Sequence, residues 1–232
     1  MNPKTLRPLV AELAGTALFV FFGAGSIAAT MAAAVSGGVQ SMIVAAAHGV
    51  GMAIIVSATM NISGGHINPA VSFGLFVAGK INGKTLGQYV GAQLIGALVG
   101  AALLKVILPW GPVHASAAGT PQLSITTDGL HGILIEAMLT FFLVSAVFGT
   151  TVAPDAPKVG GFGIGLAIFT CALVCGSLTG AAMNPARAFG PALVSLDWHG
   201  QIVYWIGPGV GASLAAALWK YVLLPRDVTD LA

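Results

Sequence analysis

The sequence predicts an all-α membrane protein in which six transmembrane helices and two re-entrant half-helices form an inverted repeat. Three features predict it: an apolar composition, a duplicated tripeptide, and the same order of apolar segments in both halves. Of the 232 residues, 56% are hydrophobic and 7% are charged, whereas soluble domains carry about 25% charged residues. The chain is therefore expected to be an integral membrane protein with one domain over residues 1–232.

Six apolar segments are long enough to cross a bilayer. They cover residues 6–29, 38–60, 84–108, 131–152, 160–178 and 201–224. Two shorter segments lie between the second and third spans and between the fifth and sixth. This predicts a first repeat over about 6–108, an outer loop over about 109–130 and a second repeat over about 131–224. Because each half has an odd number of spans, the two halves insert with opposite orientation.

Each short segment opens with Asn-Pro-Ala, at Asn68-Pro69-Ala70 and at Asn184-Pro185-Ala186. An Asn before a Pro predicts a helix N-cap followed by a proline at the first helical position. The segments end near Gly79 and Ser195, so each helix has roughly ten residues and spans about 15 Å. That is half of a bilayer core of about 30 Å. Two half-helices that meet at their N-termini would place both asparagines, and two positive dipole ends, at mid-membrane.

The positive residues predict the orientation of the chain. In this topology Lys105 falls near the outer face and Arg187 lies within the second half-helix. The other basic residues share one side: Lys4, Arg7, Lys80, Lys84, Lys158, Lys220 and Arg226. Both termini are therefore expected in the cytoplasm, and the short tails favour a prokaryotic inner (plasma) membrane. A net charge of +2 without a basic cluster argues against nucleic acid as a partner.

These motifs resemble the aquaporin or major intrinsic protein family. The resemblance rests on residues 63–71 (SGGHINPAV), residues 183–187 (MNPAR) and the glutamates that open the two repeats, Glu12 and Glu136, and it covers essentially the whole chain. It implies a lipid-embedded bundle of six tilted helices and two half-helices, assembled as a homotetramer with one pore in each subunit. It implies a passive channel for water, with no cofactor, no metal and no enzymatic activity.

In such a pore each Asn amide donates to a passing oxygen, and the helix dipoles turn the hydrogens of that molecule away from the centre. A proton wire is thereby interrupted, and the same dipoles repel cations. In the family, backbone carbonyls before each Asn line the lumen, here those of Gly64, Gly65, His66, Ile67, Gly180, Ala181, Ala182 and Met183. The resemblance also implies that Glu12 and Glu136 are buried and accept hydrogen bonds from the re-entrant loops.

A selectivity filter is expected on the outer side of the asparagines. Arg187 lies three residues after Asn184, so it projects on nearly the same helix face. A charge at this depth usually faces a water-filled cavity. Carrying the family's spacing over, the filter comprises His48, Ala172, Ala181 and Arg187.

This filter departs from the strict water-channel pattern, which has Phe on the second span and His on the fifth, and from the Trp and Phe of glycerol facilitators. Ala188 and Ala192 replace the Asp and Lys of glycerol facilitators, and Tyr204-Trp205 is typical of water channels. His with small residues is similar to plant tonoplast intrinsic proteins and ammonia-permeable aquaporins. We therefore expect passage of water and of a small neutral solute, ammonia before hydrogen peroxide, urea or glycerol. A strict water channel is the alternative, and a secondary transporter with inverted repeats is more remote.

The remaining histidines and cysteines carry weaker expectations. His66 is expected to be a structural element of the first re-entrant loop, with its backbone carbonyl and not its ring facing the pore. His114 and His131 could add a fifth contact at the pore mouth, or have no role in the pore. Cys171 and Cys175 lie one helical turn apart in an apolar segment and are expected to be buried thiols.

Overall fold

The computed structural model describes residues 3–225, with side chains from Thr5 onward. Arg226 and the side chain of Lys4, both used above for the orientation, lie outside the described residues. The other basic residues on the predicted inner side are described. Everything below refers to this part of the chain.

The described chain is helical throughout its membrane segments, and it contains six helices long and apolar enough to cross a membrane, as predicted. These are α1 (Pro3–Ala32), α2 (Gly37–Ser63), α4 (Gly83–Ile107), α6 (Gly129–Val147), α7 (Phe162–Thr179) and α9 (Val203–Leu218). The half-helices are α3 (Pro69–Val77) and α8 (Pro185–Ser195). With 9 and 11 residues, they are each close to half of a bilayer core in length.

Each repeat contains one equivalent helix crossing, between its first and its third membrane-spanning helix. In the first repeat α1 crosses α4, and in the second α6 crosses α9. At these crossings the backbones approach so closely that a Cβ on Gly96 would overlap the Leu13 carbonyl oxygen, and one on Gly211 would overlap the Ala137 carbonyl oxygen. Small residues at such positions let helices associate in a membrane, where dispersion packing replaces the hydrophobic effect.

The outer connection is more ordered than a plain loop. Residues 109–130 include a short helix, α5 (Trp110–Ala115), and a turn at Ala117–Gly119. Val113 and Ala118 are each only 1% exposed and join an apolar cluster with α1 and α4. The Gly and Pro content of this segment predicted a loop, but burial of these two side chains folds it back onto the bundle. It thereby reaches the centre of the outer face.

Two of the predicted spans, 131–152 and 201–224, have the expected extent but end in a different kind of helix. α6 and α9 each continue through one π-helical turn, at Phe148–Val152 and Trp219–Leu223. The rings of Phe148 and Trp219 stack with centroids 5.9 Å apart. Apolar periodicity does not distinguish a π turn from an α turn, so this geometry could not be predicted from the sequence.

We predict that Gly211→Ala destabilises the fold, because the added methyl group must push α9 away from the backbone of α6. The expected loss is about 1–3 kcal/mol of unfolding free energy, measured by thermal unfolding in detergent. Gly209→Ala on the same helix is the matched control, since a Cβ there meets nothing within 4 Å. Equal unfolding temperatures for the two variants would contradict this account of the crossing.

Candidate transmembrane pore

The half-helices meet at their N-termini through a reciprocal pair of hydrogen bonds. Asn68 Nδ2 donates to the Met183 carbonyl oxygen, and Asn184 Nδ2 donates to the Ile67 carbonyl oxygen, both at 2.9 Å. Each Oδ1 caps its own half-helix by accepting from the Ala70 N–H at 2.8 Å or the Ala186 N–H at 3.1 Å. A side-chain amide has two N–H hydrogens, so each asparagine keeps one that is free to meet a permeating oxygen.

Two completely buried carboxylates hold the loops that present these asparagines. Glu12 accepts from the backbone N–H groups of His66 at 3.0 Å and Ile67 at 2.7 Å. Glu136 accepts from the corresponding groups of Ala182 at 2.9 Å and Met183 at 2.7 Å. Both glutamates are 0% exposed. Each therefore binds the two residues that come directly before an asparagine.

Each support also includes a hydroxyl and a tyrosine, which sequence analysis did not connect with the re-entrant loops. Ser63 Oγ donates to Glu12 at 2.6 Å, and Thr179 Oγ1 donates to Glu136 at 2.7 Å. Tyr89 and Tyr204 donate through their hydroxyls to the carbonyl oxygens of Ser63 and Thr179, at 2.8 and 2.9 Å. The available signal was that Ser63 and Thr179 both lie five residues before an asparagine.

The supported loops have unusual backbone conformations at three matching positions. Gly64, Gly65 and Ile67 have φ of 89°, 63° and 54°, and Gly180, Ala181 and Met183 have 79°, 45° and 51°. Left-handed backbone costs roughly 1–2 kcal/mol for a residue with a Cβ, and it is rare for a β-branched residue such as Ile67. The carboxylate hydrogen bonds oppose this cost.

The eight predicted pore carbonyls fall into two sets. Those of Ile67 and Met183 each accept one hydrogen bond from the opposite asparagine, and a carbonyl oxygen has a second lone pair that can accept from a molecule in the lumen. The other six accept no hydrogen bond within the described chain. Gly64, Gly65 and His66 line one cavity, and Gly180 and Ala181 line another. Ala182 lines neither of these cavities.

These two cavities flank the asparagine pair. The inner cavity has a volume of about 340 Å³ and is lined by Asn68, Lys80 and Thr151 among others. The outer cavity has a volume of about 320 Å³ and is lined by His48 and Arg187 among others. Most of the residues that line the inner cavity are apolar, and the lining includes Gly64, Gly65 and His66, whose carbonyl groups accept no hydrogen bond within the described chain. The two cavities thus place polar groups on both sides of the asparagine pair.

The four predicted filter residues, His48, Ala172, Ala181 and Arg187, all line the outer cavity. Arg187 is 2% exposed and donates through Nη1 to the Gly119 carbonyl oxygen at 2.8 Å and through Nε to His48 Nε2 at 3.3 Å. A guanidinium has five N–H hydrogens, so three remain for other partners. Gly119 belongs to the outer turn, which sequence analysis had not connected with the filter.

The hydrogen bonds of His48 determine its tautomer. Nδ1 lies 2.8 Å from the Val44 carbonyl oxygen and must donate to it, so Nε2 is the acceptor for Arg187. A doubly protonated ring would set two donors against each other at the Arg187 contact. Both ring nitrogens of the neutral imidazole are therefore occupied.

The other histidines lie away from the filter. His66 Nδ1 lies 2.9 Å from Ser72 Oγ, and His66 lines the inner cavity. His131 pairs with the exposed Asp128 at 2.7 Å, and His114 lines a separate pocket beside Trp110. Neither His114 nor His131 lines the outer cavity, whose mouth is instead lined by Thr120, Pro121 and Gln122.

Cys171 is buried and Cys175 is partly buried, and neither lines the inner or the outer cavity. Among the described residues, no three His, Cys, Asp or Glu side chains come together in a way that could hold a metal ion.

We predict that Glu136→Gln destabilises the second loop. Oε1 accepts from Thr179 and Ala182 and Oε2 accepts from Met183, so either orientation of the new amide sets its NH₂ group against a backbone N–H. The expected loss is about 1–3 kcal/mol of unfolding free energy, measured by thermal unfolding. Asp128→Asn, at the exposed N-cap of the same helix, is the control, because Asn also caps helices well. Equal unfolding temperatures for the two variants would count against this role.

Comparison with known proteins agrees with the fold and the pore. Residues 1–219 match the family model described as "Major intrinsic protein". Aquaporin TIP4-4 of Zea mays is 43% identical over 242 aligned positions, which cover 97% of this chain and 93% of the maize protein. The probable aquaporin TIP3-2 of Arabidopsis thaliana is 39% identical, covering 97% of this chain and 86% of the relative.

Among solved structures, the X-ray structure of the aquaglyceroporin from Plasmodium falciparum superposes with a TM-score of 0.81 at 24% identity, covering 98% of this chain and 99% of that one. This similarity concerns the fold. The family model spans nearly the whole chain, and the two plant proteins are similar over almost their full lengths. The chain therefore belongs to the major intrinsic protein family, in which its relatives are aquaporins.

Proposed function

We propose that this pore carries ammonia as well as water, with His48, Ala172, Ala181 and Arg187 as its selectivity filter. That the chain is a passive water channel follows from its family and its aquaporin relatives. The single observation that supports passage of ammonia is the filter itself, in which a bonded His48–Arg187 pair and two alanines line the outer cavity.

Water would cross the centre by exchanging hydrogen bonds with the asparagines. Asn68 and Asn184 each have one uncommitted N–H, so a water oxygen at this point accepts from both. Its own hydrogens then point away along the pore, toward the unbonded carbonyls on either side. Because the central water does not donate to its neighbours in one common direction, protons cannot hop through the file.

Ammonia has one lone pair and three N–H hydrogens, and the outer cavity offers a match for both. The uncommitted N–H groups of Arg187 can donate to the lone pair. The carbonyl groups of Gly180 and Ala181, which have no partner in the described chain, can accept from ammonia. His48 contributes no free nitrogen, so its role is to hold Arg187 and to form one wall. Ala172 and Ala181 leave the opposite side wide.

Ammonium would be rejected by the same arrangement. Arg187 and two half-helix N-termini place positive charge along the passage, and dehydrating an ion in a narrow pore is costly. Hydrogen peroxide, urea and glycerol are larger, so they follow ammonia in the proposed order. The alternative, a strict water channel, requires that the His48–Arg187 pair narrow the filter enough to exclude ammonia, although Ala172 and Ala181 are small.

We predict that the double variant His48→Phe, Ala172→His lowers the ratio of ammonia to water permeability. Phe removes the acceptor that positions Arg187, and His fills the space beside Ala181. Loss of about one hydrogen bond in the transition state, about 1–1.5 kcal/mol, gives a fall of roughly tenfold. Proteoliposomes report both rates, by osmotic shrinkage in an impermeant solute and by internal alkalinisation after an ammonium jump.

His131→Phe is the matched control, because this exposed histidine lies outside the outer cavity. Wild-type ammonia uptake no faster than in protein-free liposomes would support a strict water channel. Saturable uptake with counterflow would support a transporter. An unchanged permeability ratio in the double variant would show that these residues do not determine ammonia passage.

We also propose that four copies assemble as a homotetramer with one pore in each, as expected from the family. Large apolar side chains are exposed on α1 and α2 and on α6 and α7, including Phe22, Ile54, Met138 and Leu166. We predict a protein mass in detergent close to four times 23.2 kDa by light scattering with correction for bound detergent. A mass equal to one chain would contradict this assembly.

The chain is an integral multi-pass membrane protein. We propose that both termini are cytoplasmic, because the topology gathers the basic residues of short connections at one end; those described there are Arg7, Lys80, Lys84, Lys158 and Lys220. The prokaryotic inner membrane expected from the tails has no support from the relatives compared here, which come from plants.

A further inference from the structure

One face of His48 rests directly on α1. An ideal Cβ built on Gly23 would lie 2.7 Å from both Cδ2 and Nε2 of the imidazole and 3.2 Å from Cε1. Phe19, one helical turn earlier, meets the same ring edge-on with centroids 5.7 Å apart. Residues four apart share a helix face, so Phe19 and Gly23 together form the surface of α1 against which the ring packs.

We propose that Gly23 is a positioning residue of the channel, which sets the width of the outer constriction by allowing His48 to lie against α1. This inference rests on the proposed place of His48 in the filter. Carbon atoms in contact are ordinarily 3.5–4.0 Å apart, so a methyl group at position 23 would force the ring to retreat by about 1 Å. Because the ring itself is rigid, the overlap must be relieved by movement of the whole imidazole or of α1.

The direction of that retreat follows from the other contacts of the ring. His48 is tied at Nδ1 to Val44 on its own helix and at Nε2 to Arg187. With α1 against the ring, the open space beside it is the outer cavity, which His48 lines together with Arg187. The movement would shorten or break the Arg187 contact and bring the ring into the passage.

The other glycines of α1 meet groups of a different kind. A Cβ on Gly15 would meet Cδ1 of Ile67, and one on Gly25 would meet Cδ2 of Leu104 at 2.9 Å. Both are the far ends of flexible side chains, which can turn aside. At Gly23 all three nearest atoms belong to His48. Within α1, Gly23 therefore differs from Gly15 and Gly25 in that its missing side chain leaves space for a filter residue.

The test compares water permeability per channel in proteoliposomes for Gly23→Ala, His48→Ala and the double variant. We expect Gly23→Ala to lower water permeability at least about fivefold, since about 1 kcal/mol of added barrier suffices. His48→Ala removes the ring that the methyl would displace, so the double variant should conduct like His48→Ala alone. Gly51→Ala on α2 is the matched control, because a Cβ there meets nothing within 4 Å.

A merely structural role for Gly23 would give a different pattern. If Gly23→Ala lowers permeability equally in both backgrounds, or conducts like the wild type, the proposal is wrong. Should Gly23→Ala fail to fold, recovery of folding in the double variant would support the conflict with His48. Failure of the double variant while His48→Ala folds would overturn it.

The readout here is water flux, whereas the proposal of ammonia passage depends on the ammonia to water ratio. The positioning role of Gly23 can therefore fail while the proposal of ammonia passage stands, and the reverse also holds. If His48→Ala left both water and ammonia permeability unchanged, the place of His48 in the filter would fail. If His48→Ala altered permeability and Gly23→Ala did not, only the positioning role would fail.

Discussion

The pore depends on two buried carboxylates that bind backbone N–H groups at the centre of the bundle. Without Glu12 and Glu136, the residues before each asparagine would leave N–H groups unpaired away from water, at roughly 1–3 kcal/mol for each group. The left-handed backbone of Ile67 and Met183 would add to that cost. The carboxylates in turn need these donors, since an unpaired charge in the membrane interior is expensive. The carboxylates satisfy the buried N–H groups, and the N–H groups stabilise the buried carboxylates. Together they hold the re-entrant loops, and therefore the asparagines, in place.

The sequence duplication explains why the two halves have the same helix arrangement. Positions at which the two repeats carry different residues explain why the two ends of the pore differ in chemistry. Filter positions in the second half have counterparts 116 residues earlier: Arg187 corresponds to Val71 and Ala181 to Gly65. Likewise, the counterpart of His48 is Ile164, 116 residues later. Val71, Gly65 and Ile164 all line the inner cavity. The inner positions equivalent to His48 and Arg187 are therefore the apolar Ile164 and Val71, so the bonded histidine and arginine pair belongs to the outer cavity.

Much of this could be predicted from the sequence, because its signals are local. Apolar length marked the six spans, and Asn followed by Pro marked the half-helix starts. The contacts that anchor the filter could not be predicted, since they join distant segments. Gly119 reaches Arg187 only because Val113 and Ala118 are buried against the bundle. The tautomer of His48 likewise depends on the Val44 carbonyl and on Arg187, and no motif records it.

The burial of Arg187 shows how the filter retains its charge. Its described partners are a carbonyl oxygen and an imidazole nitrogen, and it forms no ion pair in the part of the chain that the structure describes. A directly paired carboxylate would lower the cost of burial, but it would also cancel the field that repels cations. Neutral acceptors satisfy two of its hydrogens and leave the charge in place. Solvation of the remaining N–H groups then falls to whatever occupies the outer cavity, so in the proposed filter the arginine that repels cations would also bind the passing water.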